Sequence, residues 1–337
     1  MGTMRKVVVT GGAGFIGSHV VERCARDGAH VIVLDDLSTG RPDNLTAAQR
    51  EGRCEFHQVD ITDGDAVRPF FADAQWVFHL AALADIVPSI QRPVIYHHAN
   101  VDGTVAVMEA ARAAGVRRVI YAASSSCYGI PERYPTPETA AIRPEYPYAL
   151  SKWLGEQVAL HWGKVYRLPV VSLRLFNVYG PRARTSGAYG AVFGVFLAQK
   201  LAGQSLTIVG DGSQTRDFTY VTDVADAFVR AAASDVAGEV FNVGSGNTYA
   251  VARLAAMLGG PVVHIPKRPG EPDCTFADIA KIRRVLAWEP RVAFEEGVGQ
   301  MLAQIQDWKD APVWTPASIA EATKEWFQYL SPAQVSL

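Results

Sequence analysis

The run VVVTGGAGFIG, from Val7 to Gly17, most constrains what this chain can fold into. An apolar stretch that passes straight into a glycine turn and then into helix-forming residues reads as a βα unit. Gly12, Gly14 and Gly17 match G-x-G-x-x-G, while Gly11, Gly14 and Gly17 match the related G-x-x-G-x-x-G spacing. Glycine is required where the turn takes positive φ and a pyrophosphate must approach bare backbone. Phe15 and Ile16 open the helix, whose N-terminal N–H groups and dipole face the phosphates. The next strand, at 30–34, ends in Asp35. A carboxylate there bonds the adenosine ribose hydroxyls and repels a 2′-phosphate, so NAD is expected rather than NADP. Asp60 and Ile61, after the third strand, are placed to meet the adenine. Leu80, Ala81 and Ala82 follow the fourth strand, where small residues let backbone come close to a cofactor.

The rest of the first half repeats the pattern. Short apolar runs at 6–10, 30–34, 54–59, 76–80, 118–122 and 170–174 alternate with helix-like segments that include 15–26, 101–114 and 148–165. Runs apolar on both parities are buried parallel strands, and their alternation with helices predicts a doubly wound Rossmann-type α/β sheet. A further run at 239–243 is a candidate to rejoin it. The expected division is 1–178 with 215–245 as the dinucleotide domain, and 179–214 with 246–337 as a smaller α/β substrate domain. Turn-rich segments at 182–189, 210–214 and 267–273 are candidate functional loops. In the tail, Thr315 caps a helix with Pro316 at its first position. Ile319, Ala322, Trp326 and Leu330 follow at helical spacing and read as a core stripe.

Lysine plus arginine (32) nearly balance aspartate plus glutamate (34), so nothing in the charge points to nucleic acid or an anionic membrane. No apolar stretch is long enough to span a bilayer. Cys24, Cys54, Cys127 and Cys274 show no metal-ligand spacing, so no metal is expected. Widely spaced thiols suit a reducing cytoplasm.

Tyr148 and Lys152 form Y-x-x-x-K, an i, i+4 spacing that puts both on one helical face. A tyrosine near its free pKa of about 10 is a poor base at neutral pH. A neighbouring ammonium, and an oxidised nicotinamide ring, favour the phenolate and make it a base for an alcohol. The serine cluster Ser124, Ser125 and Ser126 follows the fifth strand, at the carboxyl end where α/β sheets build their sites.

Together, TGGAGFIG, Asp35, HLAA, ASSS-x-YG, the Tyr148/Lys152 pair and LRLFNVYGPR resemble the extended short-chain dehydrogenase/reductase family, and within it the NAD-dependent nucleotide-sugar epimerases of the UDP-glucose 4-epimerase type. The resemblance implies an enzyme with a substrate domain behind its Rossmann domain. It also implies a homodimer joined through a four-helix bundle of the helices near 101–114 and 148–165. It adds Asp36, Ser38, Thr39, Gly40 and Asn100 to the cofactor contacts. Ser124 would bond the reacting hydroxyl, Tyr148 would be the base, and Lys152 would bind the nicotinamide ribose. Asn177 would meet the substrate near its diphosphate, which Arg216 and Arg268 would clamp from two loops, with Glu271 in the second, RPGE. Ser125, Ser126, Arg182, Arg184 and Thr275 complete the implied substrate contacts.

The implied reaction is 4-epimerisation through a transient 4-keto sugar. Relatives that dehydrate or decarboxylate carry acids just after the position of Ser124; here those places are Ser125 and Ser126, which offer neither acid nor base. A 4,6-dehydratase, decarboxylase or reductase is the alternative, and a non-catalytic NAD-binding regulator is disfavoured by the intact Ser124, Tyr148 and Lys152. Thr275 leaves room for an N-acetyl group, and Arg184 could meet a sugar carboxylate, so UDP-glucose, UDP-N-acetylglucosamine and UDP-glucuronate all stay open. Ala84, Asp85 and Leu175 depart from the glucose enzymes, and the tail beyond Gln306, with Trp308, Trp314 and Trp326, has no counterpart in the family pattern.

Overall fold

The computed structural model describes residues 5–183 and 190–331. Seven parallel strands form its main sheet: β1 (Lys6–Thr10), β2 (His30–Asp35), β3 (Cys54–Gln58), β4 (Trp76–His79), β5 (Arg118–Ser124), β6 (Val170–Leu175) and β7 (Glu239–Val243). Their order across the sheet is 7-6-5-4-1-2-3. The strand at 239–243 therefore rejoins the sheet, pairing in parallel with β6. Val7, Val8 and Val9 have no exposed surface, as expected of a central strand covered on both faces. β3 differs: it lies at one edge of the sheet, and none of its residues is fully buried.

One face of the sheet is covered by the helices Phe15–Arg26 and Val221–Ala233, the other by Gly103–Ala114 and Pro147–Tyr166. The strand order reverses direction at β1, between β2 and β4, and the carboxyl ends there diverge into a crevice.

A second core gathers Tyr179, Phe193, Phe218 and Phe294 with short strand pairs. Leu206–Val209 pairs in parallel with Val262–Ile265, and Thr215–Arg216 runs antiparallel to Tyr249–Ala250. Phe218 and Tyr220, which the sequence division assigned to the first domain, pack in this second core. The tail also departs from expectation. Thr315 does cap a helix, sharing a reciprocal capping box with Ser318, but the stripe divides into two helices, Pro316–Ala322 and Lys324–Leu330. At the break, the Thr323 hydroxyl donates back to the Ile319 carbonyl at 2.8 Å, a bond that bends helices.

Candidate active site

The crevice opens into a cavity of about 710 Å³ that runs from the glycine turn to the second core. On the dinucleotide side the wall is backbone. Gly11 has φ +70°, and a Cβ there would lie 2.6 Å from the Ala81 nitrogen; a Cβ on Gly17 would lie 2.1 Å from the Gly11 carbonyl oxygen. No other residue fits either place. Asp35, 6% exposed, accepts from the Ala13 N–H at 3.0 Å and the Leu37 N–H at 2.9 Å. Burial pushes its carboxyl up, and these backbone bonds oppose the shift. Asp36 accepts from both donors of Ser38, and Asp60 from both donors of Thr62.

Gly14, Phe15, Ile16, Ser38, Thr39, Ile61, Leu80 and Ala82 all line the cavity, as do Asp35, Asp36 and Asp60. Two expected cofactor contacts do not. Gly40 packs behind Asp35, where a Cβ would meet the carboxylate at 2.7 Å. Asn100 is buried, and its amide is spent on both backbone groups of Leu83 and on the Ser151 hydroxyl. It fixes the loop after β4 to the Pro147–Tyr166 helix rather than facing the cavity.

The catalytic candidates converge. Ser124 ends β5, and Pro147 starts the next long helix so that Tyr148 lies in its first turn with Lys152 one turn on. Ser124 and Tyr148 line the same stretch of the cavity, and the serine hydroxyl opposes the burial that raises the phenol. The Ser124 hydroxyl is also 2.8 Å from that of Ser126 and accepts from the Ser126 N–H. Lys152 is buried, its ammonium 4.6 Å above the Tyr121 ring. Among the protein's own groups, however, Lys152 does not pull the phenol down. Burial raises Tyr148, with the Ser124 hydroxyl opposing, and burial lowers Lys152 to about 7, with Glu156 opposing. Desolvation of both groups outweighs their mutual attraction.

Three supporting groups escaped the sequence reading. His79, inside HLAA, is buried between the Thr10 hydroxyl (2.7 Å) and the Thr104 hydroxyl (3.0 Å). Burial, then the Lys152 charge, push it down to about 3, so it stays neutral near the ammonium. Below the serine cluster, Arg174 pairs with Glu156 at 2.6 Å and donates to the Tyr128 hydroxyl at 2.9 Å. Asp217, within the TRDF run quoted for Arg216, is fully buried and accepts from the Ala277 N–H and from both donors of Ser245. The signal was present in these motifs, but their neighbours in space are far away in sequence.

On the substrate side the wall is made of side chains. Arg216 and Arg268 both line the cavity and meet through Glu271, at 2.8 and 3.6 Å. The Thr275 hydroxyl donates to the Asn177 side chain at 2.6 Å and accepts from the Asp217 N–H. Ser125 and Ser126 line the cavity as expected. Arg182 also reaches it, and its guanidinium pairs with Glu22 on the Phe15–Arg26 helix, which ties the two halves together at the cavity wall. Arg184 lies outside the described residues. Trp326 is buried, as the core stripe expects, and it also lines the cavity beside Tyr146, which the sequence reading passed over.

The model of the NAD dependent epimerase/dehydratase family matches residues 7–244. The chain belongs to this family. A UDP-glucose 4-epimerase of Mycolicibacterium smegmatis is 40% identical over 305 residues, covering 88% of this chain and 96% of that protein. Among solved structures, a UDP-glucose 4-epimerase of Thermotoga maritima with UDP-glucose superposes with a TM-score of 0.83 at 33% identity, covering 90% of this chain and 99% of that one. A UDP-glucuronic acid 4-epimerase of Bacillus cereus, in complex with UDP-glucuronic acid and NAD, gives 0.81 at 31% identity, with 90% and 99% covered. The family's NAD fits the residues present. The backbone at Gly11 and Gly17 is packed too closely for any Cβ and lines the cavity bare, the Phe15 helix opens onto it, and Asp35 ends the adjacent strand. Among the described residues, no helix is long and apolar enough to cross a membrane.

Proposed function

We propose that this chain is an NAD-dependent nucleotide-sugar 4-epimerase acting on a UDP-linked hexose, N-acetylhexosamine or uronate. The observation that carries the reading is the convergence of Ser124, Tyr148 and Lys152 on the cavity that the glycine turn opens into, with no carboxylate on the Ser125–Ser126 turn. The cofactor, when bound, supplies a hydride acceptor and donor at C4 and, in its oxidised form, a positive ring near Tyr148.

Asp35, Asp60 and the glycine turn hold the dinucleotide. Ser124 donates to the sugar 4-oxygen and aligns it on Tyr148. Tyr148 removes the hydroxyl proton and later returns it, once the 4-keto sugar has turned to present its other face. Burial raises the Tyr148 phenol and Lys152 does not offset it alone; the positive charge of an oxidised cofactor would favour the phenolate. His79 contributes no competing positive charge. Arg216 and Arg268 hold the diphosphate as charged, planar donor forks while the sugar turns. Serines at 125 and 126 leave the keto sugar without the acid that a dehydratase or decarboxylase needs.

The same reading takes the protein as a homodimer in a reducing cytoplasm. Val94 (79% exposed), Ile95, Val165 and Tyr166 form an apolar face on the helices Pro93–His97 and Pro147–Tyr166, next to a groove lined by Leu154 and Trp162. All four cysteines are free thiols. Paired Val94→Glu and Val165→Glu changes are expected to yield a monomer by light scattering; an unchanged mass would move the interface elsewhere.

Proton NMR of the purified protein with UDP-glucose, UDP-N-acetylglucosamine and UDP-glucuronate in separate tubes tests the reaction. A C4 epimer in any tube supports the reading and names the sugar. Three unchanged spectra, repeated with added NAD, would overturn it.

A further inference from the structure

We propose that the C-terminal helical hairpin is part of the substrate site, with Trp326 as a positioning residue for the diphosphate and the sugar. The family match ends at residue 244, so this hairpin lies beyond it. The proposal rests on the nucleotide-sugar reading above and assigns a role to a segment that reading leaves without one.

Trp326 is 3% exposed, yet it lines the cavity. Three contacts define its role. Its indole N–H donates to the Pro269 carbonyl at 2.7 Å, which fixes the backbone next to Arg268. The Arg268 guanidinium carbon lies 5.4 Å from the centre of its ring, within the range of a cation–π contact. Its ring is 6.2 Å from that of Tyr146, which in turn stacks on Tyr148 at 6.3 Å with only 9° between planes. One side chain thus touches both the arginine assigned to the diphosphate and the aromatic pair that ends in the proposed base.

The hairpin is held so that this contact persists. The Thr315 capping box starts it, Thr323 bends it, and Lys324–Leu330 packs against Ile86–Gln91, just past the loop that follows β4. Ile86 lines the same cavity. The tail therefore bridges the dinucleotide-side loop and the Arg268 loop and closes the cavity along its sugar flank. An arginine with five donors and long rotors loses much freedom when it clamps a phosphate. A ring stacked on it, and a backbone anchor at the next residue, remove that freedom in advance. Trp326 accordingly acts on substrate affinity and leaves the proton transfer at Tyr148 alone.

The test compares Trp326→Ala, Trp326→Leu, Trp326→Phe and Tyr329→Ala in the full chain with NAD bound. Tyr329 is on the same helix but 62% exposed. KM for the nucleotide sugar and Kd for UDP by calorimetry are expected to rise about tenfold in Trp326→Ala and Trp326→Leu, the loss of one well-placed cation–π contact and its anchor. The turnover number should stay within about threefold and NAD affinity should not change. Trp326→Phe, which keeps a ring face, should recover most of the affinity, and Tyr329→Ala should match the wild type. If Trp326→Ala does not fold, Leu against Phe decides, because both keep an apolar side chain in the site, both lose the indole N–H, and only one has a ring. Equal UDP affinity for those two, or wild-type affinity in Trp326→Ala, would overturn the proposal. An unreactive wild type that still binds UDP would instead overturn the epimerase reading, with UDP affinity still deciding the role of Trp326. A wild type that binds no UDP would remove the diphosphate from Arg268 and overturn this inference with it.

Discussion

The two ends of the cavity are built from different materials. The dinucleotide end is backbone: a turn where glycine carbons sit against carbonyls and amides, with a carboxylate locked by N–H groups. The substrate end is side chain: two arginines sharing one glutamate, a threonine on an asparagine, and a tryptophan behind them. A backbone wall cannot be retuned one atom at a time, whereas a side-chain wall can change its ligand by substitution. The catalytic trio sits where the two meet, so the same chemistry can be offered to different sugars without rebuilding the cofactor site.

This contrast is open to test, first at the junction. Tyr148→Phe is expected to cut turnover about 10³-fold while NAD and UDP affinities stay within a few fold, as removal of a general base should. A comparable loss of either affinity would mean that Tyr148 belongs to one wall after all. On the backbone side, Gly17→Ala forces a Cβ into the Gly11 carbonyl. It should cost roughly 3 kcal/mol of stability, an overpacking penalty, and strip NAD from the purified protein, read by melting temperature and cofactor content. Survival of full NAD occupancy would break the idea of a wall without slack.

Arg216→Ala should raise KM for the nucleotide sugar about tenfold, the worth of a hydrogen bond to a charged group, and leave NAD binding as it was. A fall in NAD affinity would blur the boundary between the two ends. The smallest effect comes from His79. The unfolded chain takes up this proton near pH 6.5 but the folded chain only near 3, so between those values the unfolded state binds more protons and stability falls as pH drops. A His79→Gln variant lacks that slope, and by pH 5.5 the wild type should have lost about 1 kcal/mol more than the variant in denaturant titrations.

The same contrast explains what was legible in the sequence. Val7–Gly17, Asp35 and the Tyr148–Lys152 pair are local patterns, since turn and helix geometry fix their neighbours within a few residues. The strand at 239–243 was legible through composition alone, although its β6 partner is distant in the chain. Asn100 was misplaced because its burial, set by Leu83 and Ser151, has no local mark. The pairing of Arg182 was hidden in the same way, since Glu22 lies on another element. The tail was read as a single core helix because helical spacing cannot distinguish a core from a cavity wall. Nor does it reveal a hydroxyl that bends the chain at Thr323.

Glu271 sits between Arg216 and Arg268, where it leaves the arginine pair with one net positive charge instead of two. An incoming anion must then displace a carboxylate that already reaches both guanidinium groups. The glutamate thus sets a threshold: an ion that offers the two arginines little more than this carboxylate does, however abundant, competes poorly for the seat.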